Sequence, residues 1–255
     1  MIVDAHTHIF ESGRGGPFDL PSSADDLLRD MDAAGIDMSV VLPLPGVATN
    51  DHVARECARR PDRLRALYTP EFDQPSTTIS KMAAFFDAHG PAGLKLHPRV
   101  QGVTVNDSIM DETLAWAEDR GTPALFDVFP WGPMLDNPAI QPMAYHHVAQ
   151  KRPKLRLILA HGGGFRLMDG FMVAKSNPNV WLDLSVTPVY FKGSSLVGDC
   201  AFVCKRLPAG RVLYGSDFPY VRVGESYEHA RQWLDAPAEL AAEFFGGAAQ
   251  RIFSL

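Results

Sequence analysis

Eight short apolar runs, spaced about 30 residues apart and separated by stretches of helical period, constrain this 255-residue chain more than any other feature. The runs are MIVDAH (1–6), MSVVLPL (38–44), LRALYTP (64–70) and AGLKLHP (92–98), then PALFDV (123–128), LRLILAH (155–161), VWLDLS (180–185) and RVLYGSD (211–217). Nearly continuous apolar runs suit parallel strands buried on both faces. Between them, SADDLLRDMDAAG (23–35) opens on a serine cap and closes on Gly35. MAAFFDAHG closes on Gly90 and IMDETLAWAEDRG on Gly121. Those caps and glycines mark helix ends. Eight strand–helix units in a chain of this length predict one (β/α)8 TIM barrel, distorted and built of parallel strands, over residues 1–255. A doubly wound open sheet is the rival. ESGRGGP (11–17) has the glycines of a phosphate turn but not the G-x-G-x-x-G spacing, which favours the barrel.

In such a barrel chemistry sits where the strands end, at the C-terminal rim. His6 and His8, two residues apart on a strand, face one point. Two neutral imidazoles so placed suit a zinc-like ion. Run four carries Lys95 and His97 at the same spacing. Run five ends at Asp127, run six at His161, run seven carries Asp183, and run eight ends at Asp217. Polar groups buried at the ends of apolar strands need partners, and a metal ion is one. Asp183 is expected to anchor a neighbouring histidine or loop. Arg99, Arg166, Trp131 and Tyr190 are loop residues suited to line a pocket. The loops 11–23 and 129–142 are long and rich in Gly and Pro, as rims around a site are.

VDAHTH (3–8), GLKLHP (93–98), LILAHGGG (157–164) and LYGSDFPY (213–220), in that order, resemble the amidohydrolase superfamily. The likeness is to the branch of aminocarboxymuconate-semialdehyde decarboxylase and related metal-dependent hydrolases. It implies a metal held by His6, His8 and Asp217, with His161 as a catalytic histidine beside it. In that branch strand five usually ends in a histidine ligand, where this chain has Asp127. Aligning on the Pro-Trp pair instead puts Phe129 there. Asp127 is preferred because it ends the apolar run, and a carboxylate can replace an imidazole on zinc. The expected site is therefore one divalent ion, zinc first and manganese second, on His6, His8, Asp127 and Asp217. His161 and Asp217 are the catalytic pair, and Lys95, His97 and Arg99 bind substrate.

The expected activity is hydrolysis of a small carboxylate-bearing ester, lactone or amide by metal-activated water. The alternatives are a non-oxidative decarboxylase of an aromatic or dienoic acid, a metal-free lactonase and an inactive binding barrel. Net charge of −6 with no basic block points to a small-molecule substrate and away from nucleic acid. No apolar run reaches 18 residues, so no membrane span is expected. Cys57, Cys200 and Cys204 form no disulfide framework and read as core thiols. With no signal sequence read at the N-terminus, a cytoplasmic protein is expected, and the resemblance adds a homodimer as a candidate assembly.

Overall fold

Each of the eight apolar runs forms a strand, and each strand is followed by helix. The computed structural model describes residues 1–15, 19–132 and 135–255; the remaining five positions lie in the two long loops, outside the described residues. The strands are β1 (Val3–Thr7), β2 (Met38–Val41), β3 (Leu64–Ala66), β4 (Leu94–Leu96), β5 (Ala124–Asp127), β6 (Leu157–Ala160), β7 (Val180–Asp183) and β8 (Val212–Leu213). The principal helices are α1 (Ala24–Ala34), α2 (Asn50–Ala58), α3 (Pro75–His89), α4 (Ser108–Asp119), α5 (Tyr145–Lys151), α6 (Leu167–Ser176), α7 (Leu196–Arg206) and α8 (Val223–Trp233). α1 shows how local sequence sets its ends. Ser23 and Asp26 form a reciprocal capping box, and Gly35 takes the left-handed conformation that closes the helix.

Every pairing between these strands is parallel and in chain order: β1, β2 and β3 form one arc, β4 to β8 the other. Single parallel bridges join the arcs at both seams, Tyr68 to Leu94 and Thr7 to Phe218. The result is a distorted (β/α)8 barrel. Strand alternation separates two cores. Val41, Leu64, Leu94, Leu96, Phe126, Leu159 and Leu182 face outward and pack with helix residues such as Leu27, Met31 and Leu114. Val40, Leu125, Ile158 and Leu213 pack in a second cluster with Val3 and Ala5, together with Ile252 and Phe253 of the last helix, Ala248–Phe253.

β1 breaks its own alternation. Val3 pairs with Met38 and Asp4 with Ser39, but Thr7 pairs with Val41, so three steps along β1 match two along β2. A bulge of this kind re-aims the residues beyond it. Val3 and Ala5 fill the apolar cluster below, and His6, one residue on, still reaches Lys95 and Asp183 from the barrel interior. The three cysteines are buried and free.

Packing of α6 against the end of β6 depends on Gly170, where a Cβ would lie 2.4 Å from the Gly162 carbonyl oxygen. Replacing it by alanine is expected to cost about 1–3 kcal/mol through overpacking. In a chain of this size that lowers Tm by about 3–8 °C, measurable by thermal unfolding.

Candidate metal centre

The tautomers of His6 and His8 follow from their neighbours. His6 Nδ1 donates to Asp183 Oδ2 at 2.5 Å, and His8 Nδ1 donates to the Leu42 carbonyl at 2.8 Å. A carboxylate and a carbonyl both accept, so Nδ1 of each ring carries a proton, and in the neutral His6 ring Nε2 holds the lone pair. Both Nε2 atoms then face one acceptor, Asp217 Oδ1, at 3.5 and 3.4 Å. Burial, with the Lys95 charge beside it, pushes the His6 imidazole well below its ordinary pKa and keeps it neutral. The His6 lone pair thus faces the Asp217 carboxylate at 3.5 Å and the Lys95 ammonium at 3.3 Å. Ligands about 2.1 Å from one ion in tetrahedral array stand about 3.4 Å apart, which the His6–Asp217 and His8–Asp217 separations match. Gly215 permits the approach of β8: a Cβ there would lie 2.8 Å from His6 Cβ.

His161 completes this cluster. One ligand atom each from His6, His161 and Asp217 lies within 4.8 Å of the others. His161 and Asp217 both adopt the left-handed backbone, with φ of 59° and 66°, which costs a non-glycine residue about 1–3 kcal/mol. The turn after β6 exists because Gly162 and Gly163 follow at φ 58° and 96°. Ser185, two residues after Asp183 and so on its face, sits between the rings, its Oγ 3.1 Å from His6 Nδ1 and 3.0 Å from His161 Nδ1. Thr187 Oγ1 holds the His161 carbonyl at 2.7 Å. Burial opposes charge on His161, but the hydrogen bond to Asp127 and the Asp217 and Asp127 charges outweigh it and raise its pKa.

Asp127 stands apart from the His6–His161–Asp217 group. Its Oδ2 lies 3.0 Å from His97 Nε2 and 3.5 Å from His161 Nε2. Its Oδ1 accepts from the Phe129 N–H at 3.2 Å and lies 3.6 Å from Arg99 NH2. Burial alone would raise the carboxyl; His97 and His161 hold it well below the usual range. Arg99 also donates to the Trp131 carbonyl, and its guanidinium stands 5.8 Å from the Trp131 ring centre. Gln101 Oε1 accepts from His97 N–H at 2.6 Å, fixing the end of β4. Lys95 is fully buried and its Nζ lies 3.3 Å from His6 Nε2, with no carboxylate at ion-pair distance among the described residues. Burial lowers its pKa, against the pull of Asp127, Asp217 and Asp183.

Sequence reasoning missed Ser185 and Gln101, and placed Phe129 only as the alternative at the strand-five position. Only the i, i+2 spacing of Ser185 from Asp183 offered a signal. Phe129 packs 5.5 Å from His161 and 5.6 Å from Tyr190, edge to face, and Tyr190 packs 5.0 Å from Phe191. Trp131 and Tyr190 are exposed, and Arg166 pairs with its neighbour Asp169 at 3.3 Å. No described helix is long and apolar enough to cross a membrane.

A family model described as Amidohydrolase matches residues 3–255. No curated protein matches the chain. Among solved structures, an uncharacterised TIM-barrel protein of Bordetella bronchiseptica superposes with a TM-score of 0.86 at 19% identity, covering 99% of this chain and 98% of that one. A probable 2-pyrone-4,6-dicarboxylic acid hydrolase of Acinetobacter baumannii, with citric acid bound, gives 0.76 at 15% identity over 100% and 99%. A 5-carboxyvanillate decarboxylase of Novosphingobium aromaticivorans, holding manganese, gives 0.71 at 17% identity over 100% and 97%. At these identities the likeness is one of fold.

Two expectations follow from the geometry. Asp183→Asn removes the charge that orients His6, and is expected to weaken binding of a divalent metal by about 10–100-fold in a chelator competition. Asp4, whose Oδ1 accepts from Ser216 N–H at 2.9 Å while Oδ2 is buried without a partner, is pushed up by burial from 3.8 to about 7. A raised carboxyl binds more protons folded than unfolded. Its stabilisation is complete below about pH 4 and fades as pH rises toward 7. Asp4→Asn should therefore compare worst with wild type near pH 4 and best above pH 7, as read by denaturant unfolding across that range.

Proposed function

The chain belongs to the amidohydrolase family and is an enzyme of that family; from that premise we propose that it hydrolyses a small carboxylate-bearing ester, lactone or amide with one divalent ion. The observation that carries this reading is the convergence of His6 Nε2 and His8 Nε2 on Asp217 Oδ1, at 3.5 and 3.4 Å, a nitrogen and oxygen donor set that suits a cation. Zinc is the proposed ion on this nitrogen and oxygen set, with manganese the alternative. When bound, such an ion supplies Lewis acidity to a water or a carbonyl oxygen at neutral pH. Asp217 accepts the proton of the attacking water on its second oxygen. His161, whose pKa Asp127 raises, donates to the oxygen or leaving group of the scissile bond. Lys95, a buried cation with no carboxylate at ion-pair distance among the described residues, meets the substrate's anionic group.

A second reading rests on one observation. Phe129, Tyr190 and Phe191 form an aromatic wall beside His161, which suits a flat unsaturated ring. Decarboxylation of an aromatic or dienoic acid would use that wall, with His161 protonating the ring carbon.

Elemental analysis and a substrate panel test both readings together. About one equivalent of zinc or manganese per chain is expected in the wild type, falling at least tenfold in Asp217→Asn. Lactones, esters and amides should be hydrolysed without release of CO₂. Release of CO₂ from aromatic acids would move the assignment to the decarboxylase. A chain that takes up no ion even when supplied with one would sink the metal-dependent mechanism and leave a metal-free lactonase or a binding barrel.

A further inference from the structure

We propose that Asp127 is the built-in occupant of a carboxylate-binding site, so that this chain disfavours any substrate carrying a second carboxylate at that end of the pocket. The inference rests on the hydrolytic site proposed above and adds which substrates that site turns away. Four groups that would recognise a free carboxylate converge on Asp127 instead: His97 Nε2 at 3.0 Å, the Phe129 N–H at 3.2 Å, His161 Nε2 at 3.5 Å and Arg99 NH2 at 3.6 Å. A carboxylate offers about four lone-pair sites, and here each faces a donor or a cation. Asp127 is 7% exposed, so water does not compete for them.

Arg99 reaches from this cluster toward the surface, where it donates to the carbonyl of exposed Trp131. A planar guanidinium is the group best suited to grip a carboxylate two-handed. Here Asp127 draws its charge inward. A tethered carboxylate outcompetes a free one because its local concentration is set by the chain. An incoming carboxylate would also meet the negative charge of Asp127 itself, a repulsion that discriminates without any new contact. On the other side of the site, Lys95 has His6 Nε2 as its hydrogen-bond partner and no carboxylate. The site therefore accommodates one anionic group on its substrate, at the Lys95 side.

The probes are benzoate and isophthalate, which differ by one carboxylate, bound to the full chain and followed by calorimetry. The wild type is expected to bind isophthalate no more than about threefold tighter than benzoate. Asp127→Asn frees the donors while keeping the side-chain shape, and should favour isophthalate by at least about tenfold. Adding Arg99→Ala should erase that gain. Asp127→Ala gives an independent measurement: about 100 mM formate should raise its Tm by about 3 °C more than it raises the wild type's, against a chloride control. A wild type that already prefers isophthalate tenfold overturns the proposal, and that result needs no variant to fold. So does a folded Asp127→Asn with no gain, or formate acting equally on both proteins. Failure of the hydrolytic reading would show as missing metal or missing turnover, and would leave the formate difference in place.

Discussion

Burial of so many ionisable groups in one layer is the constraint on which the rest of this structure depends. His6, His8, Lys95, His97, Asp127, His161, Asp183 and Asp217 all lie in the barrel interior or at its rim, each almost removed from solvent. An unpaired charge there would cost several kcal/mol, so the layer persists only through mutual pairing. Asp183 takes the proton side of His6, Leu42 that of His8, and Asp127 gathers His97, His161 and Arg99. What these pairings leave open is the point between His6, His8 and Asp217. Every chemical argument about the site starts from that remainder.

The backbone carries the cost of holding it open. His161 and Asp217 both sit at positive φ, and both belong to the group that can hold an ion. Strain at two such positions persists only where the surroundings over-determine it. Glycines at 162 and 163 turn the chain after β6, and Thr187 fixes the His161 carbonyl. At the opposite side of the cluster, Gly215 gives His6 the room it needs. The bulge in β1 has the same purpose in another form. It lets apolar Val3 and Ala5 and polar His6 all serve the barrel interior, which strict alternation would forbid.

Two carboxylates, one ending β5 and one following β8, illustrate how environment divides roles. Asp217 faces the Nε2 atoms of His6 and His8. Asp127, on β5, is surrounded by donors. The same residue type is thus poised to bind an ion at one place and to neutralise cations at the other, which is why its position along a strand predicts so little of its role.

The eight runs, their spacing and the glycines that close α1, α3 and α4 were enough to read the barrel, because parallel strands covered on both faces leave a nearly continuous apolar signature. The strand-end positions of His6, His8, Lys95, Asp127, His161 and Asp217 were legible for the same reason: a polar residue ending an apolar run stands out. The sequence did not reveal the β1 bulge, the place of Ser185 between two imidazoles, or the direction in which Asp127 turns. Those depend on register and on partners 24 to 179 positions away, since a side chain's hydrogen bonds are decided by whatever the fold brings within about 3 Å of it. Local pattern determined which residues reach the centre of this barrel. Only the tertiary structure decided which of them face a lone pair and which face a proton.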